Sequence, residues 1–122
     1  MPARILIVDD HEVVRMGIRL ALTYNSPLQV CGEACDGLDA LHKVLELSPD
    51  VVILDLSMPR MNGFETAAQM RLIAPSVKII FYSIHEIPTA ARLSGGDAFV
   101  CKSSDPQELT MTINRVLQGG VS

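Results

Sequence analysis

The chain has 122 residues, which is long enough for one domain with a hydrophobic core and too short for two. Its hydrophobic content of 48% excludes a disordered chain. Its net charge is −4 and its ten basic residues are scattered, so we expect no nucleic-acid-binding patch. Its apolar runs are far shorter than a membrane span and the N-terminus leads directly into a predicted strand, so we expect a cytoplasmic protein without a signal sequence.

The first third of the chain predicts a strand, a helix and a second strand. Residues 4–8 form a short apolar run, and residues 28–33 form another. Between them the apolar residues recur at helical spacing, which predicts a helix near residues 12–24. The residues expected on its buried face are Val14, Ile18, Ala21 and Leu22.

The middle of the chain predicts two more helices around a central strand. Asp36–Asp39 begins the second helix, and the capping-box pattern of Asn62–Glu65 begins the third. The third strand, residues 51–54, is continuously apolar, as strands buried on both faces are. The residues expected to face inward are Leu38, Leu41 and Leu45 in the second helix and Phe64, Ala67 and Met70 in the third.

The last part of the chain predicts two strands and two helices. The strands span residues 77–82 and 98–101, and a short fourth helix between them begins at Pro88 and stops at Gly95-Gly96. Asp105–Glu108 predicts the start of the last helix, with a capping Asp followed by Pro at the first helical position. The residues expected to be buried in that helix are Leu109, Ile113, Val116 and Leu117.

Five strands alternating with five helices predict an α/β fold over residues 1–118. The expected architecture is a (βα)5 doubly wound, five-stranded parallel sheet of the flavodoxin-like type. Residues 119–122 are expected to begin a linker or a C-terminal tail. The cysteines lack a recognisable metal-binding spacing, so Cys31, Cys35 and Cys101 are expected to be buried free thiols.

Four strands are followed by polar residues suited to phosphoryl chemistry. These residues are Asp9-Asp10, Asp55, Ser83 and Lys102. Because the carboxyl ends of parallel strands lie along one edge of a sheet, where such sheets bind ligands, we expect these side chains to converge. Three carboxylates offer the hard oxygen ligands that Mg²⁺ prefers, while a hydroxyl and an ammonium group suit a phosphoryl group.

A purely structural interpretation of these residues is also open. Asp10 could cap the first helix, Asp9 could occupy a turn, and Lys102 could be a surface lysine at a strand end. Asp55 is harder to explain in this way, because a lone carboxylate that ends a buried strand is unfavourable without a partner. Three acids placed together would also repel one another without a cation, so a metal site is favoured.

The order Asp9-Asp10, Asp55-Leu-Ser-Met-Pro-Arg-Met-Asn-Gly63, Ser83 and Lys102 resembles the receiver domain of two-component response regulators. The resemblance spans the whole chain, and the stretch from Asp55 to Gly63 is its most specific part. Further stretches resemble the subgroup whose receivers precede a LuxR-type helix-turn-helix domain: Gly32–Gly37, Pro49–Asp55 and Val116–Gly119. The resemblance implies the regulatory domain of a transcription factor, which would bind DNA only through a domain absent from this chain.

The resemblance implies that Asp55 is the phosphoacceptor. Mg²⁺, or Mn²⁺, would be held by Asp10, the Asp55 carboxylate and the Ser57 backbone carbonyl, and Asp9 would act through a water. Lys102 would neutralise charge that develops on the incoming phosphoryl oxygens. The implied donors are a sensor histidine kinase and small acyl phosphates. The chain would catalyse only its own phosphorylation and dephosphorylation, and would not be an enzyme acting on a metabolite.

The resemblance also implies a conformational switch. After phosphorylation, Ser83 would bond the new oxygens and vacate space for Phe99 to turn inward. The change would reach an output surface formed by the fourth helix, the fifth strand and the fifth helix, and a homodimer could form there. The structural alternative is that Phe99 is a permanently packed strand residue.

The segment after Ser83 departs from the family's pattern. Ser83 and Lys102 are 19 positions apart, shorter than the usual interval by roughly one helical turn. The fourth helix, around residues 85–94, is therefore expected to be short, displaced or partly unwound. Ser57 and His85 each lie two positions after a site residue, and we expect them to set the lifetime of the phosphate.

Two other functions are open from the sequence. One is a phosphorylation-independent, receiver-like protein-binding module, which the shortened segment mildly favours. The other is a Mg²⁺-dependent phosphohydrolase that uses Asp55 as a transient nucleophile. The second is disfavoured because the predicted loops are short and no second acid lies within two positions after Asp55.

Overall fold

A computed structural model of the protein describes residues 2–24, 28–58, 61–84 and 95–119. Its strands are β1 Ala3–Val8, β2 Leu28–Ala34, β3 Val51–Asp55, β4 Lys78–Ser83 and β5 Ala98–Cys101. Its helices are α1 Glu12–Thr23, α2 Gly37–Leu47, α3 Gly63–Ile73 and α4 Pro106–Leu117. The helix predicted between the fourth and fifth strands lies outside the described residues, and α4 corresponds to the predicted fifth helix. The predicted tail also lies outside them, apart from Gly119.

The five strands form one parallel sheet in the order β2-β1-β3-β4-β5. The strand order reverses at β1, because the chain first moves outward to β2 and then crosses back to β3. In doubly wound sheets, ligands bind outside the carboxyl ends of the strands at such a reversal. The predicted five-stranded α/β fold is therefore confirmed, and the crevice between β1 and β3 is where its site is expected.

Two hydrophobic cores cover the two faces of the sheet. Successive strand residues point to opposite faces, so Leu6 and Val8 pack with α2 and α3, whereas Ile5 and Ile7 pack with α1 and α4. All five residues of β3 are buried, as the continuous apolar run predicted. No helix among the described residues is long and apolar enough to cross a membrane.

Side-chain caps begin three of the four described helices, as predicted. The Asp36 side chain accepts the Asp39 N–H, and Asn62 with Glu65 forms both bonds of the capping box. The Asp105 side chain accepts the Gln107 N–H, with Pro106 at the first helical position. Each cap satisfies an N–H group that has no partner within its helix.

Helix α2 packs on the sheet through a different face from the one predicted. Leu38 and Leu45 are 54% and 62% exposed, so the prediction that they face inward is wrong. Gly37, Ala40 and Val44 are buried instead. Small residues are needed there because the neighbouring helix is close: a Cβ on Gly37 would lie 2.5 Å from Thr66 Oγ1. Leu41 is half-buried against the core.

Predictions for two other sites were also wrong. Leu117 is 37% exposed because it lies in the last turn of α4, at the margin of the core. Cys35 is exposed because it follows the end of β2, and Cys31 and Cys101 are only half-buried. All three cysteines are free thiols, as predicted.

Candidate functional site

The site lies where β1 and β3 end side by side. Val8 pairs with Leu54 in the sheet, so the chain places Asp9 and Asp55 next to each other as the two strands end. From the far side of the sheet, the residue after β5 is tied to the end of β4, because the Lys102 N–H donates to the Ser83 carbonyl at 2.7 Å. We call Asp9, Asp10, Asp55 and Lys102 the carboxyl-edge cluster.

Three carboxylates and one imidazole ring lie close enough to share an ion. Asp9, Asp10, His11 and Asp55 each offer one ligand atom, and these atoms all lie within 4.8 Å of one another. Asp9 and Asp55 are buried, whereas Asp10 and His11 are exposed. The three predicted acids are thus brought together at one point.

Lys102 is half-buried among the acids and is not a fully exposed surface lysine. Its Nζ lies 2.7 Å from Asp9 Oδ2 and 3.3 Å from Asp55 Oδ1. The same ammonium group lies over the Tyr82 ring, 5.6 Å from the ring centroid, at the range of a cation–π contact. In the described part of the cluster, one ammonium group therefore faces two buried carboxylates.

The two oxygens of Asp55 differ in their surroundings. Oδ1 accepts the Ser57 N–H at 3.2 Å and faces Lys102. Oδ2 is buried and has no hydrogen-bond partner among the described residues. Buried polar atoms are almost always paired, because leaving one unpaired costs about 1–3 kcal/mol. This buried, unpaired oxygen, on a carboxylate grouped with Asp9 and Asp10, therefore indicates a ligand at this position.

The electrostatics of the site are set mainly by burial. Burial raises the pKa of the Asp55 carboxyl above its ordinary value, and the charge of Asp9 adds to that increase. The Ser57 N–H and Lys102 act in the opposite direction but do not cancel it. Burial alone would lower the pKa of Lys102, but its hydrogen bond to Asp9 and the charges of Asp9 and Asp55 raise it overall. Lys102 therefore stays a fixed positive charge at neutral pH.

Three neighbouring residues donate hydrogen bonds to Asp9. Its Oδ1 accepts the His11 N–H at 2.8 Å, and its Oδ2 accepts from Lys102. Its backbone carbonyl accepts from Arg15 Nη1 at 2.6 Å. The N-cap of α1 is His11, so Asp10 does not cap that helix. Asp10 therefore has more freedom than Asp9 to serve as a direct ligand.

The loop after β3 is packed closely against the start of α3. The Gly63 N–H donates to the Leu56 carbonyl at 3.2 Å. A Cβ on Gly63 would lie 2.5 Å from the Asp55 carbonyl oxygen, so only glycine fits this approach. The first turn of α3 thereby fixes the backbone that carries Asp55.

The remaining predicted residues occupy different environments. Ser83 is buried at the end of β4, and Phe99 is half-buried against the α2–α3 core. The Ser57 side chain is exposed, although its backbone N–H contacts Asp55. His85, predicted to set the phosphate lifetime, lies outside the described residues.

Sequence reasoning missed two residues of the site. His11 contacts Asp9 and Asp10, although no sequence pattern indicated a role for it. Its position directly after the acidic pair keeps its backbone near both acids, but does not determine where its ring points. The ring of Tyr82 lies beneath the Lys102 ammonium group, and Tyr82 pairs with Asp55 in the sheet. The position of Tyr82 beside the site therefore depends on the register between β3 and β4.

Comparison with known proteins gives the same family across nearly the whole chain. The model of the response regulator receiver domain matches residues 5–114. The uncharacterized transcriptional regulatory protein YhcZ of Bacillus subtilis is 38% identical over 120 residues, which cover 96% of this chain and 55% of that protein. The nitrate/nitrite response regulator NarL of Escherichia coli is 33% identical over 121 residues, covering 97% and 56% respectively. The chain thus spans little more than half the length of these curated relatives.

Solved structures show the same similarity. A LuxR-family two-component response regulator from Aurantimonas sp. SI85-9A1 is 34% identical with a TM-score of 0.92, covering 99% of this chain and 89% of that one. The isolated REC domain of RcsB from Salmonella enterica serovar Typhimurium, determined with phosphomimetic BeF3-, is 26% identical with a TM-score of 0.91. That similarity covers 100% of this chain and 93% of that one.

Proposed function

The chain belongs to the family of response-regulator receiver domains, of the NarL and LuxR type, and on that premise we propose that Asp55 accepts a phosphoryl group in a metal-dependent reaction. One observation carries the proposal. Asp55 Oδ2 is buried and unpaired among the described residues, and it belongs to a carboxylate at the reversal of strand order whose other oxygen, Oδ1, faces Lys102. An oxygen in that position could both coordinate a metal ion and attack the phosphorus atom of a donor.

The donor set suits a hard divalent ion. Asp10, Asp55 and the Ser57 backbone carbonyl would hold Mg²⁺ or Mn²⁺, with Asp9 acting through a water because both its oxygens are engaged. When bound, the ion would supply positive charge for the phosphoryl oxygens.

The residues of the chain supply position and charge for the transfer. An oxygen of Asp55 forms the new bond to phosphorus while the donor's bond to phosphorus breaks and its electron pair leaves with the donor. Since two anions must approach each other, Lys102 offsets the developing charge on the phosphoryl oxygens. The Ser57 N–H, bonded to Oδ1, fixes the carboxylate with Oδ2 towards the site.

Phosphorylation is proposed to act through Ser83 and Phe99. Ser83 would bond the phosphoryl oxygens, and Phe99 would move further inward from its half-buried position. Such a switch needs two states of similar energy, one of which binds the phosphorylated site better. Ser57 and His85 are proposed to control how fast water reaches the acyl phosphate.

The partners follow from the same proposal. The phosphoryl donor would be a sensor histidine kinase, which also implies a cytoplasmic location. Phosphorylation would favour a homodimer, and DNA would be bound by a helix-turn-helix domain in a longer protein. The relatives support this assignment: NarL is named a nitrate/nitrite response regulator, and the RcsB REC domain was determined with a phosphomimetic.

Intact-protein mass spectrometry after incubation with acetyl phosphate tests the proposal. We expect a mass gain of one phosphoryl group that requires Mg²⁺ and is lost in Asp55→Asn. Glu46→Gln makes the same change from acid to amide on an exposed part of α2, and should behave as the wild type. Absence of the adduct from the folded wild type would favour a phosphorylation-independent binding module. Sustained turnover of a small phosphate ester would instead favour a phosphohydrolase.

A further inference from the structure

His11 contacts the proposed metal ligands although it has no part in the proposed reaction. Its Nδ1 lies 3.0 Å from Asp10 Oδ1 and 3.2 Å from Asp9 Oδ1. Adjacent ligands of an octahedral ion with bonds near 2.1 Å are about 3 Å apart. The Nδ1 of His11 and the Oδ1 of Asp10, which lie within hydrogen-bonding distance, therefore also have the spacing of two neighbouring ligands.

Apart from the hydrogen bond between its Nδ1 and Asp9 Oδ1, no capping or packing role accounts for the position of the His11 ring. His11 is the N-cap of α1, but its side chain makes no capping hydrogen bond. The side chain is 66% exposed, so it fills no space in either hydrophobic core. The ring can therefore turn towards an ion without any loss to the helix or to the core.

We propose that His11 supplies an imidazole nitrogen to the ion held by Asp10 and Asp55, and that this nitrogen shifts the preference of the site from Mg²⁺ towards transition-metal ions. The inference rests on the proposed function, because it concerns the same ion. The buried, unpaired Asp55 Oδ2 provides the independent indication that a ligand belongs here.

The expected preference follows from ligand chemistry. Mg²⁺ prefers oxygen ligands and retains several waters, so it gains little from an imidazole. Affinity for a mixed nitrogen and oxygen site rises from Mn²⁺ to Co²⁺ and Ni²⁺. A nitrogen ligand therefore distinguishes Co²⁺ from Mg²⁺ in a way that three carboxylates do not.

Pulsed electron paramagnetic resonance on the Mn²⁺-loaded protein tests ligation directly. An imidazole bound to Mn²⁺ adds a ¹⁴N modulation to the electron spin echo. We expect this modulation in the wild type and its loss in His11→Gln at full Mn²⁺ occupancy. His42→Gln, which changes an exposed histidine on α2, should retain it.

Calorimetric titration with Co²⁺ and Mg²⁺ tests the preference. Removing even the outer partners of metal ligands weakens binding by about 10–100-fold. His11→Gln should therefore weaken Co²⁺ binding by about tenfold or more, while Mg²⁺ binding should change by less than about threefold. Equal weakening for both ions would overturn the proposed preference.

The outcomes separate this inference from the proposed function. Mn²⁺ binding without ¹⁴N modulation, or modulation that persists in His11→Gln, overturns the role of His11 and leaves phosphorylation of Asp55 intact. Failure of the wild type to bind Mn²⁺ also overturns it, and the acetyl phosphate experiment then shows separately whether the proposed function fails.

Discussion

Both edges of the sheet carry charged side chains, but the partners of these charges differ between the two edges. At the amino edge, Asp50 Oδ2 accepts the Arg4 N–H at 2.8 Å, and Arg4 Nη1 donates to carbonyls at the end of α2. Asp97 accepts the Ile79 N–H at 2.8 Å and forms an ion pair with Arg71. At the carboxyl edge, Lys102 faces both Asp9 and Asp55, and one Asp55 oxygen has no partner in the described chain.

This difference in partners separates the charged side chains that stabilise the fold from those that form the site. Arg71 also donates to the Gly95 and Val77 carbonyls, so it ties α3 to the starts of β4 and β5. The amino-edge charges complete the hydrogen bonding of the backbone. The carboxyl-edge charges leave an excess of negative charge in a buried place, which is unfavourable unless a cation joins them.

Lys102→Met should have the largest effect on stability. It leaves Asp9 and Asp55 buried without their counter-ion, and breaking a buried pair in this way costs about 3 kcal/mol. Urea unfolding without divalent ions measures the loss, and Mg²⁺ should recover part of it. Lys43→Met removes a more exposed ion pair and a hydrogen bond to the Glu33 carbonyl, and should lower the free energy of unfolding by only about 1 kcal/mol. Equal losses in the two variants would contradict the account.

Arg71→Met tests the amino edge. It removes the partner of Asp97 and the donor to three backbone carbonyls, which should lower the free energy of unfolding by about 2 kcal/mol. Because this edge has no role in metal binding, Mg²⁺ should not restore the loss. Recovery by Mg²⁺ similar to that of Lys102→Met would show that the two edges are not distinct.

Replacing aspartate by asparagine at the two edges should change the free energy of unfolding in opposite directions. In the absence of divalent ions, Asp55→Asn removes excess buried charge and should stabilise the fold by about 1 kcal/mol. Asp50→Asn weakens a satisfied hydrogen bond to the Arg4 N–H and should destabilise it by a similar amount. Thermal unfolding of both variants in chelator gives the comparison, and a loss of stability in Asp55→Asn would contradict it.

The free energy of unfolding should also depend on pH, a smaller effect that again comes from the buried charge of Asp55. Since burial raises the pKa of Asp55, the folded state keeps this proton to higher pH than the unfolded state does. The raised pKa of Asp55 contributes stability to the folded state. This contribution is fully present below the unfolded-state pKa of about 4 and is lost as pH rises through the raised folded-state pKa. The advantage of Asp55→Asn over the wild type should therefore grow with pH across this window in chelator. A constant advantage would mean that the Asp55 carboxyl does not titrate differently in the folded state.

Much of the fold was predictable because its signals are local. The apolar run before Asp55, the capping box of Asn62 and the Asp105-Pro106 start depend only on nearby residues. The face of α2 was not predictable in this way. Leu38 and Leu45 satisfy helical spacing, but contact with α3 selects the face with Gly37, and that contact exists only in three dimensions.

The site shows the same division between local and distant information. Strand ends and the topology of parallel sheets predicted that Asp9, Asp55 and Lys102 would converge, and they do. The closer pairing of Lys102 with Asp9 and the unequal oxygens of Asp55 could not be predicted, because they depend on side-chain orientation. His11 was missed for the same reason, since adjacency in sequence does not fix where a ring points.

Thermal unfolding of the wild type and Asp55→Asn, each with chelator and with Mg²⁺, tests the central claim most directly. A ligand that binds only the folded state raises its stability. The account predicts that Asp55→Asn is the more stable protein in chelator, that Mg²⁺ raises the Tm of the wild type, and that Mg²⁺ raises the Tm of Asp55→Asn much less. Equal responses to Mg²⁺ in the two proteins, or none in the wild type, would contradict the claim that the carboxyl-edge cluster is a metal site centred on Asp55.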